Sequence, residues 1–178
     1  MTVLPIVHMG HPVLARPACP VADPTAPDIA RLAADMVETL AATTGAGLAA
    51  PQVGVDLRLV VLKAPAARGE AVPLTILINP WLYALGADCE SDYEGCLSLP
   101  GLTGVVPRAR QIRYGGVGLD GAPLVREASG FHARLVQHEC DHLDGRLYVS
   151  RMPDLSTLAY TQELLRQRAE AQPQDQPA

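Results

Sequence analysis

His138-Glu139-Cys140-Asp141-His142 places two imidazoles four residues apart with a carboxylate beside the first. On a helix of 3.6 residues per turn, the two histidines share one face about one turn apart, a geometry that can chelate a single metal ion. Glu139 is rotated away from both. It is better placed to reach a metal-bound water than to act as a ligand, which is the division of labour a hydrolase needs. A surface helix with scattered polar residues would also fit the pentapeptide alone. The flanks favour the metal site, because Phe131, Leu135, His138 and His142 fall at helical spacing and continue an apolar stripe that packs inward. Ser129 is the expected N-cap and Gly145 the left-handed residue past the end, giving a helix over residues 130–144. Two inward imidazoles around a glutamate are costly to bury without a metal.

Catalytic sites of this kind take about three protein ligands and leave a position for water. No histidine follows His142, Asp144 is too close to it to wrap around, and Glu163 falls in a later helix. Upstream, Cys96 lies in Glu94-Gly95-Cys96-Leu97-Ser98, where glycine permits a tight backbone and the flanks suit a buried, extended segment. Cys89 is the rival third ligand. The four cysteines could instead form two disulfides. However, residues 1–21 carry no basic stretch followed by an apolar run, so the reading is a cytoplasmic chain with reduced thiols. Cys19, Cys89 and Cys140 then read as small, partly buried hydrophobes.

The elements that must position these groups are partly legible. An amphipathic helix is expected from Asp28 as cap, with Ile29, Leu32, Ala33, Met36, Val37 and Leu40 as its inner stripe. It leads into Gly45-Ala46-Gly47-Leu48-Ala49-Ala50-Pro51-Gln52, whose glycines end the helix and let bare backbone approach something closely. No Lys-Ser/Thr follows at phosphate-loop spacing. Gln52 then offers an amide donor near that backbone, unless it is an ordinary turn glutamine. Residues 57–63, 74–78 and 112–119 read as strands, the first two as nearly continuous apolar runs suited to burial. Glycines 115, 116, 118 and 121 mark a hairpin or bulge, and a helix is expected from near Ser156 to Glu170. With 178 residues and 48% hydrophobic content, the chain reads as one α+β domain over residues 1–170, and residues 171–178 as a disordered tail. Mixed or antiparallel sheets would pack around the central metal-binding helix. A net charge of −5 argues against nonspecific nucleic-acid binding, and no transmembrane run is present.

Three segments, Gly45 to Gln52, Glu94 to Ser98 and His138 to His142, resemble the three motifs of peptide deformylase in order and separation. The similarity runs from about Leu4 to Met152. The stretch around Ala128 to Phe131 and Gln137 to Gly145 looks closest to the branch that includes plant and animal mitochondrial members as well as bacterial ones. The resemblance implies removal of the formyl group from the initiator methionine of nascent chains, with release of formate. It also implies that Cys96, His138 and His142 hold one divalent metal, Fe(II) being the usual physiological ion and zinc, nickel or cobalt able to occupy the site. Glu139 would carry the proton, while the Gln52 amide and the Leu97 N–H would receive charge on the formyl oxygen. Gly45 and Gly47 would lie against the peptide, and Ala46, Phe131 and Leu135 would form the methionine pocket. Arg134 departs from members that carry an aliphatic residue there, and Thr103 stands where many bacterial members have arginine. The partners implied are N-formylmethionyl peptides, near the ribosome. Direct ribosome docking by a basic C-terminal helix is not expected, since residues 151–178 hold three Arg against two Asp and two Glu. A metal-dependent endopeptidase would share the histidine helix but would need a downstream third ligand.

Overall fold

Gly130 and Gly145 bracket the helix on which the site depends. A computed structural model describes residues 2–68 and 71–171, and in it this helix, α2, spans Gly130–Leu143. Ser129 is its N-cap, in extended backbone, although its hydroxyl makes no capping hydrogen bond. Gly145 takes the left-handed conformation expected of it, with φ of 70°. Most of α2 is buried, so the helix is a core element rather than a surface one.

A five-stranded antiparallel sheet packs against it in the order β1-β2-β3-β6-β7. The strands are β1 (Gly47–Ala49), β2 (Leu59–Ala64), β3 (Val72–Ala84), β6 (Gln111–Val117) and β7 (Pro123–Ser129). Alternate side chains of β2 face opposite ways. Val60 and Leu62 join Leu77, Ile112, Leu135, Val136 and Leu143 in the core beneath α2. Leu59 and Val61 face Ile29, Ala33, Met36 and Leu40 of the first helix, α1 (Pro27–Ala41). Both faces of β2 are therefore covered, which explains its unbroken apolar run. A second antiparallel sheet, β4 (Cys89–Cys96), β5 (Leu99–Ala109) and β8 (Ala159–Tyr160), packs through β5 on α2 and has its own small core of Leu99, Val106 and Tyr148. The last helix is α3 (Thr161–Ala171).

Several boundaries differ from the sequence expectation. α1 is capped by Ala26 rather than Asp28, because Pro27 occupies the first helical position, where its fixed φ suits the helix. Asp28 lies in the first turn and pairs with Arg31. The strand expected at 74–78 extends to 72–84, since its first half pairs with β2 and its second with β6 across an irregularity between Ile78 and Trp81. Of the four glycines, Gly118 and Gly121 make the β6–β7 turn, whereas Gly115 and Gly116 sit within β6 under Trp81 and Leu77. No continuous helix starts near Ser156. A tight turn at Leu155–Thr157 gives way to β8, which pairs Ala159 and Tyr160 with the edge of β5 before α3 begins. Of the expected tail, residues 172–178 lie outside the described residues, and Ala171 ends α3.

Candidate active site

α2 and the β4–β5 hairpin bring three ligand atoms together. Those of Cys96, His138 and His142 all lie within 4.8 Å of one another, and Cys96 Sγ is 3.3 Å from His142 Nε2. Cys96 ends β4, where the register shifts after Gly95 and the chain turns back through Leu97 and Ser98 into β5. Cys89 stands at the other end of that eight-residue strand and is exposed. At about 3.3 Å per residue the two are about 23 Å apart. Cys89 is therefore excluded as third ligand. Cys19 is exposed too, against the expectation of partial burial, and only Cys140 is a core thiol, its pKa pushed up to about 12 by burial.

The donor set suits a cation. His138 Nδ1 is 2.8 Å from Glu94 Oε2, so its Nε2 is the nitrogen left to face the site. Burial opposes charging of His138, but hydrogen bonds to Cys96 and Glu94 outweigh it and push its pKa well up. The surroundings of His138 thus favour positive charge at this ring from two sides, a charge that a bound cation would supply in place of the proton. His142 is held well below the usual range by burial and by the charges of His138 and Arg108, which keeps it in the neutral form a metal requires. The ring of Tyr148 lies nearly parallel to His138, 6.2 Å away between centroids.

Behind His138 stands a buried charge network with little sequence signal. Glu94 accepts from Arg108 Nε and one Arg108 terminal nitrogen at 2.9 Å each, and from Arg134 at 2.8 Å. Burial alone would raise its pKa, but the hydrogen bonds of Arg108 and His138 prevail and lower it to about 2. Arg108 also donates to Asp141, which Arg151 grips from the protein's edge at 2.6 and 3.2 Å. Glu94 was within reach of sequence reasoning. It precedes Cys96 by two residues, and in a strand such residues share a face. Nothing local marks Arg108, Asp141 or Arg151.

A cavity of about 560 Å³ opens over the ligands and is lined by Gly45, Ala46, Gly47, Gln52, Cys96, Leu97, Phe131, Leu135, His138 and Glu139. Apart from Cys89, the site residues expected from the sequence line this space or, for His142, touch Cys96. Gln52 is 1% exposed, and its orientation is fixed by chemistry. Its Oε1 accepts from Ala49 N–H at 2.8 Å, which turns Nε2 toward Cys96 Sγ and Ser98 Oγ at 3.4 Å. Glu139 is 3% exposed and Oε2 finds no partner among the described residues. Burial raises its pKa to about 7, against the opposing charge of His138. Thr103 is turned inward, donating to the Glu94 carbonyl at 2.9 Å, so it offers the cavity no charge.

A cysteine sulfur, two imidazoles, a buried carboxyl and an oriented amide around one cavity form a candidate site for a single metal ion. The family model described as polypeptide deformylase matches residues 3–157. The chain belongs to that family. Peptide deformylase 2 of Bordetella bronchiseptica is 52% identical over 165 residues, covering 89% of this chain and 93% of that protein. Peptide deformylase 1 of Nitrosomonas europaea is 49% identical, with 90% and 93% covered. Among solved structures, the K3U-bound class I type b peptide deformylase of Acinetobacter baumannii superposes with a TM-score of 0.81 at 32% identity, covering 85% of this chain and all of that one. The Thermotoga maritima peptide deformylase gives 0.79 at 32% identity, covering 86% and 100%. Peptide deformylases remove the N-formyl group from nascent polypeptides, and that is this enzyme's reaction. No helix among the described residues is long and apolar enough to cross a membrane.

Proposed function

We propose that deformylation is carried by Glu139, Gln52 and the Leu97 N–H around one divalent metal held by Cys96, His138 and His142. The observation that supports this best is the convergence of the three ligand atoms beside a buried carboxyl whose Oε2 has no hydrogen-bond partner among the described residues. The metal would supply Lewis acidity to the formyl oxygen and to an attacking water. Fe(II) is the expected ion, and this mixed sulfur–nitrogen set also accepts zinc, nickel or cobalt.

Glu139 takes the proton of the attacking water at its free Oε2 and returns it to the departing amine, which must be protonated to leave. A carboxyl whose pKa is raised to about 7 can both accept and give a proton at neutral pH. Charge developing on the formyl oxygen is met by Gln52 Nε2 and by the Leu97 N–H. Gln52 is preset for this because Ala49 occupies its other end. Gly45 and Gly47 let backbone close on the substrate and leave room for a formyl hydrogen but not an acetyl methyl. Ala46, Phe131 and Leu135 form the apolar wall for the methionine side chain.

The test is formate release from a formyl-Met peptide by protein prepared without oxygen in Fe(II) or Ni(II), beside an acetyl-Met peptide and a Glu139→Gln variant. Release from the formyl substrate alone, lost in the variant while metal is retained, is the expected result. No release from the fully metallated protein would reject the assignment.

A further inference from the structure

Arg134 sits one helical turn before His138, and its guanidinium reaches across to the smaller sheet. One terminal nitrogen donates to Glu94 Oε1 and to the Val106 carbonyl at 2.8 Å each, with the Asp92 carbonyl at 3.5 Å. The other donates to the Glu90 carbonyl at 2.6 Å. A single buried side chain therefore holds the backbone of β4 and of β5 together with the carboxylate that orients His138. The two histidine ligands ride on α2, whereas the thiolate ligand ends β4. Arg108 also holds Glu94, but its other partner, Asp141, is on α2, and the described contacts give it no carbonyl of β4. Gln137 ties α2 to β5 only at Ala109, the far end of that strand from the Cys96 turn.

We infer that Arg134 is a positioning residue, a clamp that sets the spacing between the Cys96 thiolate and the two imidazoles and, through Glu94, the orientation of His138. This rests on the ligand set proposed above. The chemistry requires arginine specifically. A planar fork with five donors satisfies three acceptors on two strands plus a carboxylate, whereas lysine offers one compact charge that can answer Glu94 but cannot span both strands. Because the clamp acts on the position of the ligands rather than on the reaction, it should show first in how long the metal stays bound.

The experiment uses the full chain loaded anaerobically with Co(II), which reports sulfur ligation by its thiolate-to-metal absorption, and follows loss of that band into excess chelator for wild type, Arg134→Met and Arg134→Lys. The expected result is metal release about 10-fold faster or more in both variants, in the range found for loss of outer partners of metal ligands. The lysine variant should keep a thermal midpoint near wild type, which separates ligand spacing from overall stability. Wild-type release rates in both variants would overturn the clamp. Fast release in the methionine variant with full rescue by lysine would also overturn it, since charge against Glu94 would then suffice. Should Arg134→Met fail to fold, Arg134→Lys alone decides between these outcomes. A wild-type cobalt protein whose spectrum lacks the thiolate band, and is unchanged by Cys96→Ser, would overturn the ligand set itself.

Discussion

Gly47 lies flush against Glu139, so that a methyl group on its α-carbon would stand 2.7 Å from both Cγ and Cδ of the glutamate. Gly47 is part of β1 and does not take a left-handed conformation, so the need for glycine there is one of space. The strand edge and the Glu139 carboxyl are built to fit each other. Gly47→Ala should therefore push the carboxylate out of place without unfolding the chain. A displacement of about 1 Å at a reacting group costs on the order of 100-fold in rate. Formate release should fall by about that factor, while circular dichroism and metal content stay at wild-type values. Full activity in the variant would show that Glu139 tolerates another position.

In the proposed mechanism Gln52 combines a structural and a chemical role in one side chain. Its Oε1 satisfies the buried Ala49 N–H, and its Nε2 points into the site. Gln52→Glu keeps an acceptor for Ala49 but replaces the donor with an oxygen that repels developing negative charge. The expected loss in kcat is about 100-fold to 1000-fold, typical for one oxyanion donor. KM for a formyl-Met peptide should change far less. A loss confined to KM would place Gln52 in ground-state binding instead.

The site was more legible in the sequence than the fold around it. His138, Glu139 and His142 announce themselves because helical spacing converts directly into a shared face, and Phe131 and Leu135 carry that face inward. β2 was legible for a similar reason, since burial on both sides leaves an unbroken apolar run. β4 was not. Cys89 to Gly95 includes two glutamates, a serine and an aspartate, and its backbone is extended only because β5 supplies the partner residue by residue from Ala109 to Thr103. β8 escaped likewise, as two residues beside the edge of β5 say nothing locally. The network of Arg108, Asp141 and Arg151 is assembled from β5, α2 and the segment beyond it, so no window of sequence contains it.

Cys89 and Cys96 could not be ranked by sequence spacing alone, and their places on β4 now separate them. Cys89 is exposed at the far end, while Cys96 faces both histidines. Cys89→Ser should bind metal and turn over as wild type does. Cys96→Ser exchanges a soft anionic ligand for a neutral hydroxyl, so its metal affinity should fall by more than the 10-fold to 100-fold usual for an outer partner. Chelator competition measures both, and equal affinity in the two variants would remove the thiolate from the ligand set.

Glu94 gives the protein a distinct response to acid. Its pKa in the folded chain is lowered to about 2 from an ordinary 4.5, because the hydrogen bonds of Arg108 and His138 outweigh the effect of burial. A carboxylate with a depressed pKa contributes stability that is present above its unfolded pKa and is lost as pH falls through its folded pKa. The window is therefore from about 4.5 down to about 2, and a shift of this size corresponds to on the order of 3 kcal/mol. Glu94→Gln should be less stable at pH 7, since buried Arg134 loses its counter-charge and Arg108 keeps only Asp141, yet its stability should fall less steeply across that acid window. Metal should also be held about 10-fold to 100-fold more weakly, because His138 loses the carboxylate that fixes its Nδ1. Urea unfolding of wild type and variant, both stripped of metal, at pH 7, 4.5 and 3 measures the first effect, and chelator competition the second. Parallel acid profiles for the two proteins would mean that Glu94 is not the group that titrates in that window.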